Sequence, residues 1–277
     1  MPPAHEDLSP ATLKTTDMND STDTPAERPT IVLIHGAWHW GGCFGKVADL
    51  LGAHGFPVIT PDLKSHGYSA AGYADVQTMD DYAEPVARLL EAASRPLVLL
   101  GHSMGGATLT HLGERYPDKI AQLIYLTAFM TRAGKSPNDY IFAPAYGADP
   151  AVAELFQLLA PSADGKGVVL DVSKPALVRA AFYADCSDRD FAVASANVVP
   201  INTGVPYGTP SQATAERFGR VPRLYIECMA DKAIPIAIQR QMQADVPGAK
   251  VVSLQTSHSP FFSAPAALAS LIVENLP

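Results

Sequence analysis

The chain has 277 residues, 47% of them hydrophobic, and a formal net charge of −8. That length buries a sizeable core as one α/β domain with an insertion or as two small domains. The acidic balance excludes a nucleic-acid partner, which needs clustered Lys and Arg. The longer apolar runs, Pro96 to Leu100 and Ile120 to Leu126, fall short of the roughly 20 residues of a membrane span, so no membrane partner is expected.

Residues 1–29 read as a disordered leader, rich in Pro, Ser, Thr and Asp and lacking the hydrophobic segment of a signal peptide. Its acids Glu6, Asp7, Asp17, Asp20, Asp23 and Glu27 outnumber Lys14 and Arg28 and carry half the net charge. Thr30 to His35, TIVLIH, is a β-branched run ending at Gly36, as expected of a strand buried on both faces. Similar runs recur at Phe56 to Thr60, Pro96 to Leu100, Ile120 to Leu126, Arg223 to Cys228 and Lys250 to Leu254. Between the second and third, Thr78 is followed three residues later by Asp81, and Tyr82, Val86, Leu89, Leu90 and Ala93 share one helical face. This predicts a crossover helix over 78–94, kinked at Pro85.

Strands alternating with helices imply right-handed crossovers and a mostly parallel twisted sheet flanked by helices, built from residues 30–130 and 215–277. Over 131–214 the alternation fails, and Pro, Gly, Ala and aromatic residues mix with short helical pieces such as Ala151 to Leu159. That insertion is expected as a cap over the strands' carboxyl ends, where ligands bind in open α/β sheets. Cys43, Cys186 and Cys228 have no metal-ligand spacing and read as buried free thiols. They fit a cytoplasmic location. No metal or organic cofactor is implied.

Leu97 to Gly106 reads LVLLGHSMGG and contains Gly101-His102-Ser103-Met104-Gly105, the G-x-S-x-G of a nucleophile elbow. An apolar strand leads in and the helical pattern Ala107, Leu109, Leu112 leads out, so Ser103 is expected on a strained turn above the sheet. A Ser hydroxyl needs an adjacent base held by a third group, and in this architecture the chain order is nucleophile, acid, base. Asp231 follows the strand ending at Cys228, and His258 follows the strand ending at Leu254. Glu227 is the rival acid but lies inside a strand rather than on the loop after it. Among the other histidines, His35 is expected to shape the oxyanion loop and His102 to point away from Ser103. His5 is in the leader, and His54, His66 and His111 read as structural. Backbone N–H groups of Ala37 and Met104 are the candidate oxyanion donors. Trp38, Trp40, Phe129, Phe182 and Phe261 are candidates for lining a substrate pocket.

At these motifs the chain resembles the plant methylesterase and hydroxynitrile lyase branch of the α/β-hydrolases, with the bacterial carboxylesterases similar to them. The matching stretches are HGAWH from His35, GHSMGG from Gly101, YPDKI and LTAFM between Tyr116 and Met130, and ERFGRVPRLYIECMADKAIP from Glu216 to Pro235. The resemblance implies the α/β-hydrolase fold, a triad of Ser103, Asp231 and His258, and an oxyanion hole at Ala37 and Met104. The lyases carry a Thr after the first-strand His and a Lys after the catalytic His; here these are Gly36 and Ser259, and a neutral Ser cannot stabilise departing cyanide as an ammonium can. Trp40 stands where the family usually has Gly, and Gly42 where it has Trp.

The sequence therefore points to a serine carboxylic ester hydrolase working through an acyl-enzyme on a small or medium apolar ester (aryl, alkyl or lactone), as a monomer or homodimer. Two other readings use the same residues. One is a lyase-like, C–C-cleaving or amide-cleaving enzyme on the same triad, and the other a non-catalytic ligand receptor.

Overall fold

Runs of apolar, β-branched residues bury best as central strands, and six of them form one parallel sheet here. The computed structural model describes residues 28–277, so the expected leader lies, as far as residue 27, outside the described residues. The first half of the chain supplies β1 (Ile31–Ile34), α1 (Gly45–Ala53), β2 (Val58–Ile59), α2 (Met79–Ala92), β3 (Leu97–His102), α3 (Gly105–Arg115) and β4 (Ile120–Leu126). Then come the short helices α4 (Pro137–Ile141), α5 (Pro144–Gly147) and α6 (Pro150–Phe156), followed by β5 (Leu159–Pro161) and β6 (Gly167–Leu170). They lead into α7 (Pro175–Phe182), α8 (Asp188–Asn197), β7 (Ile201–Thr203) and α9 (Val205–Gly208). The chain returns to the main sheet through β8 (Arg223–Cys228), α10 (Ile236–Asp245) and β9 (Ala249–Leu254), and ends with α11 (Pro260–Ser263) and α12 (Pro265–Glu274).

The main sheet has the order β2-β1-β3-β4-β8-β9, with every neighbouring pair parallel. From β1 the chain moves outward to β2 and then crosses back to place β3 on the other side of β1. The carboxyl ends of β1 and β3 therefore flank the point where the strand order reverses, and a crevice opens there in sheets of this kind. β1, β3 and β8 are buried along their whole length.

α2 begins with a reciprocal cap in which the Asp81 amide donates to Thr78 Oγ1 at 3.0 Å and the Thr78 amide to Asp81 Oδ2 at 2.9 Å. The helix continues through Pro85. Tyr82 on one side of the proline and Val86 and Leu90 on the other are all buried, and that common packing holds the two halves in one helix.

The segment between β4 and β8 contains a feature absent from the sequence reading, a three-stranded antiparallel sheet β5-β6-β7. The stretch read as helical over Ala151 to Leu159 splits into α6 and the start of β5. Among the described residues no helix is long and apolar enough to cross a membrane.

Candidate active site

Ser103 directly follows β3 with a φ of 53°, a left-handed conformation that costs a non-glycine residue energy and persists only where its surroundings hold it. Its backbone is held on both sides, the amide donating to the Leu126 carbonyl at 3.3 Å and the carbonyl accepting from the Phe129 amide at 3.0 Å. A turn this sharp brings chains together. A Cβ at Gly105 would lie 2.8 Å from the His35 carbonyl oxygen, and one at Gly36 would lie 2.7 Å from Ser103 Cβ. Glycine at both positions is a steric requirement of the crossing.

The loops after β8 and β9 bring Asp231 and His258 to the same end of the sheet. His258 Nε2 is 3.1 Å from Ser103 Oγ, and His258 Nδ1 is 2.7 Å from Asp231 Oδ2. Because the carboxylate can only accept, Nδ1 carries the ring proton, which leaves Nε2 to accept from the serine hydroxyl. Asp231 is itself saturated: Thr127 Oγ1 donates to Oδ2 at 2.5 Å, and the amides of Ala233 and Ile234 donate to Oδ1 at 2.7 and 2.9 Å. Asp231 and His258 are both buried, while Ser103 is half-buried and open to a cavity.

Glu227 serves elsewhere. It lies within β8 and accepts from Arg240 at 3.1 Å, Gln243 at 3.1 Å and Ser253 at 2.9 Å. Burial alone would raise its carboxyl, but these donors outweigh burial and hold it below the usual range.

Ala37, Met104 and Ser103 line one cavity. Among the described residues neither the Ala37 nor the Met104 amide has a hydrogen-bond partner. The loop carrying Ala37 is tightly held. His35 Nε2 accepts from the Leu63 amide at 3.0 Å, which leaves Nδ1–H to donate to the Gly36 carbonyl at 2.8 Å. His39 donates from Nδ1 to the Ala37 carbonyl at 2.9 Å and accepts at Nε2 from the Tyr183 hydroxyl, also at 2.9 Å. Trp38 donates from its indole to the Val168 carbonyl at 3.1 Å, and its carbonyl accepts from the Val199 amide at 2.8 Å. His39 has no role assigned by the sequence; its place as the second histidine of HGAWH is the signal that points to it.

His102 turns away from the serine hydroxyl and donates from Nε2 to the His258 carbonyl at 2.8 Å, with the two rings 4.5 Å apart. Burial, and then the neighbouring His258, keep His102 neutral by holding its pKa well below the ordinary value.

Of the five aromatic residues expected to line a pocket, Trp38, Phe129 and Phe182 do so, and Trp40 and Phe261 do not. Phe261 lies in α11 and packs in the core against Phe44 at 5.0 Å and His102 at 4.9 Å. Trp40 faces Phe262 at 6.3 Å and lies along the His39 ring. The rest of the wall comes from the inserted segment through Ile141, Tyr146, Leu155, Phe156, Leu159 and Tyr207, and from Ala233 and Ile234 beside Asp231.

Residues 31–271 match the model of the alpha/beta hydrolase family, and the chain belongs to that family. It is 40% identical over 247 residues to a pyrethroid hydrolase of Sphingobium wenxiniae, covering 88% of this chain and 86% of the relative. It is 30% identical over 239 residues to methylesterase 9 of Arabidopsis thaliana, covering 84% and 93%. Among solved structures, a pyrethroid hydrolase from Sphingobium faniae superposes with a TM-score of 0.81 at 38% identity, over 89% of this chain and 96% of that one. A methylesterase from Arabidopsis superposes with a TM-score of 0.73 at 27% identity, over 89% and 98%.

Proposed function

We propose that the protein is a serine carboxylic ester hydrolase acting on apolar esters, with Ser103 as nucleophile, His258 as base and Asp231 as the residue that orients the base. The relatives named pyrethroid hydrolase and methylesterase support ester cleavage. The observation that carries the residue assignment is the unbroken chain Ser103 Oγ, His258 Nε2, His258 Nδ1, Asp231 Oδ2, with steps of 3.1 and 2.7 Å.

In this reading Ser103 Oγ attacks the ester carbonyl carbon as its proton passes to His258 Nε2. The carbonyl oxygen takes up the negative charge between the Ala37 and Met104 amides; one such donor is worth roughly 3 kcal/mol of barrier. The C–O bond to the alcohol breaks, and His258 returns the proton to the leaving oxygen. Water then attacks the acyl-serine with His258 again as base, releasing the carboxylic acid and restoring the Ser103 hydroxyl. Buried Asp231 stabilises the transient imidazolium without taking its proton.

The segment over 131–214 serves as the cap in this proposal, contributing apolar wall and no charged group to the Ser103 cavity. Ser259, buried and neutral beside His258, supports hydrolysis over cyanide release. Cys43, Cys186 and Cys228 are buried and free, which supports a cytoplasmic location, where thiols stay reduced.

The test is nitrophenol release from short-chain 4-nitrophenyl esters. Wild-type protein is expected to turn over, and Ser103→Ala to lose activity by a factor on the order of 10⁴ or more. Turnover retained in Ser103→Ala removes the serine from the mechanism.

A further inference from the structure

The cavity that holds Ser103 measures about 40 Å³, room for a few water molecules at most. Beside it lies an outer groove of about 470 Å³, a size at which pockets hold organic ligands. Small or flat residues form its floor, Ala160 on β5, Gly167 and Val168 on β6, and Gly204 before α9, with Phe142 at its rim. Cavity and groove share Ile141, Phe156, Leu159 and Tyr207. One layer of side chains divides them.

Three of these four wall residues, Ile141, Phe156 and Leu159, are half-buried, on short elements of the inserted segment. Phe156 contacts two other rings, stacked on Phe142 at 6.5 Å and edge-on to Tyr146 at 6.0 Å. Phe142 is itself 73% exposed, an apolar cost for a ring at the mouth of an apolar groove. Ile141, Phe156 and Leu159 lie outside the main sheet, which does not depend on them.

Ring contacts connect the groove to His258. From His258 they run 5.6 Å to Phe182, 5.8 Å on to Trp38 and 6.2 Å on to Tyr207, and Trp38 is bonded to Val168 on the groove floor. The groove is the apolar space next to the Ser103 cavity, and an ester arm too long for that cavity has it as its nearest outlet.

We propose that the outer groove is a subsite for a long apolar acyl arm, which reaches it when the side chains of Ile141, Phe156 and Leu159 swing aside. This rests on the ester-hydrolase reading above and names the substrate class of that site as esters of extended apolar acids.

The experiment compares 4-nitrophenyl acetate with 4-nitrophenyl octanoate, which share a leaving group and differ in the acyl arm. In wild-type protein kcat/KM rises from acetate to octanoate. Ala160→Trp, at an exposed position on the groove floor, lowers the octanoate-to-acetate ratio of kcat/KM by about tenfold, through loss of buried apolar contact. Phe142→Ala, at an exposed position that folding tolerates, lowers the same ratio about threefold. A ratio that stays at the wild-type value in both variants overturns the subsite. Failure of wild-type protein to release nitrophenol from any ester instead sinks the hydrolase reading. Calorimetric titration of Ser103→Ala with 4-nitrophenyl octanoate then decides the subsite alone: the Kd weakens about tenfold when Ala160→Trp is added, whereas an unchanged Kd overturns it.

Discussion

Asp231 shows how much of this site depends on single donors. A carboxylate offers about four acceptor positions, and here Thr127, His258, Ala233 and Ile234 fill them. Thr127→Val keeps the branched shape at a residue with a φ of 38° but leaves a buried charge one donor short. A hydrogen bond to a charged group contributes roughly 1.5–3 kcal/mol, so unfolding in urea is expected to show a loss of that order. Nitrophenyl ester turnover is expected to fall by about tenfold or more, since about 1.4 kcal/mol is tenfold in rate and the lost bond to the carboxylate proposed to orient His258 is at least of that order. Thr127→Ser retains the hydroxyl and stays near wild type in both measurements. If Val and Ser variants behave alike, the Thr127 hydroxyl has no such role. Gly36 makes the converse point. The Thr that the lyases carry there would bring a Cβ to 2.7 Å from Ser103 Cβ, so that substitution is expected to displace Ser103, the proposed nucleophile, rather than confer lyase activity.

At the level of elements, the sheet brings the three loops together, and the inserted segment steadies one of them. After α7, Asp185 accepts from the Ser257 amide at 2.8 Å and from the Ser257 hydroxyl, and Cys186 reaches the Ser259 carbonyl. The loop bearing His258 is thus clamped on both sides of the imidazole by residues more than 70 positions earlier in the chain. Asp185→Ala is expected to lower kcat about tenfold with little change in KM, because a small displacement of His258, the proposed base, penalises the chemical step more than binding. Steady-state kinetics on a nitrophenyl ester checks this; a change confined to KM would place Asp185 in binding instead. α2 offers a plainer case. Thr78→Ala removes the cap on the Asp81 amide and should cost about 1 kcal/mol, measurable by thermal unfolding, with activity unchanged.

For the molecule as a whole, four buried histidines set the response to acid. Burial pushes His39 down to about 4 and lowers His66; burial together with His66 takes His35 well below its ordinary value, and burial together with His258 does the same to His102. The folded chain holds all four neutral, whereas the unfolded chain protonates them near 6.5. Stability is therefore fully present above about pH 6.5 and is lost as pH falls towards the folded values, each group adding up to about 1.4 kcal/mol per pH unit. His39 alone accounts for a loss on the order of 3 kcal/mol by pH 4. The Tm is expected to be flat from about pH 8 to 7 and to drop by on the order of 10 °C by about pH 5. A Tm unchanged between pH 7 and 5 contradicts this. The same molecule shows which of its features are local. The strand-turn-helix around Ser103 was legible in LVLLGHSMGG because an apolar run, a strained turn and flanking glycines are neighbours in sequence, and because the parallel sheet follows from strands alternating with helices. Asp231 and His258 were legible as loop residues after strands for the same reason. The cavity wall was not. Trp38 and Trp40 are two residues apart, yet one faces Ser103 and the other Phe262. The partners of His39 and of the His258 loop come from the turn that follows α7, and β5-β6-β7 is a small sheet whose strands are each four residues or fewer. Periodicity over so few residues carries almost no signal, and the side on which an aromatic ring packs is decided by whichever distant segment buries it.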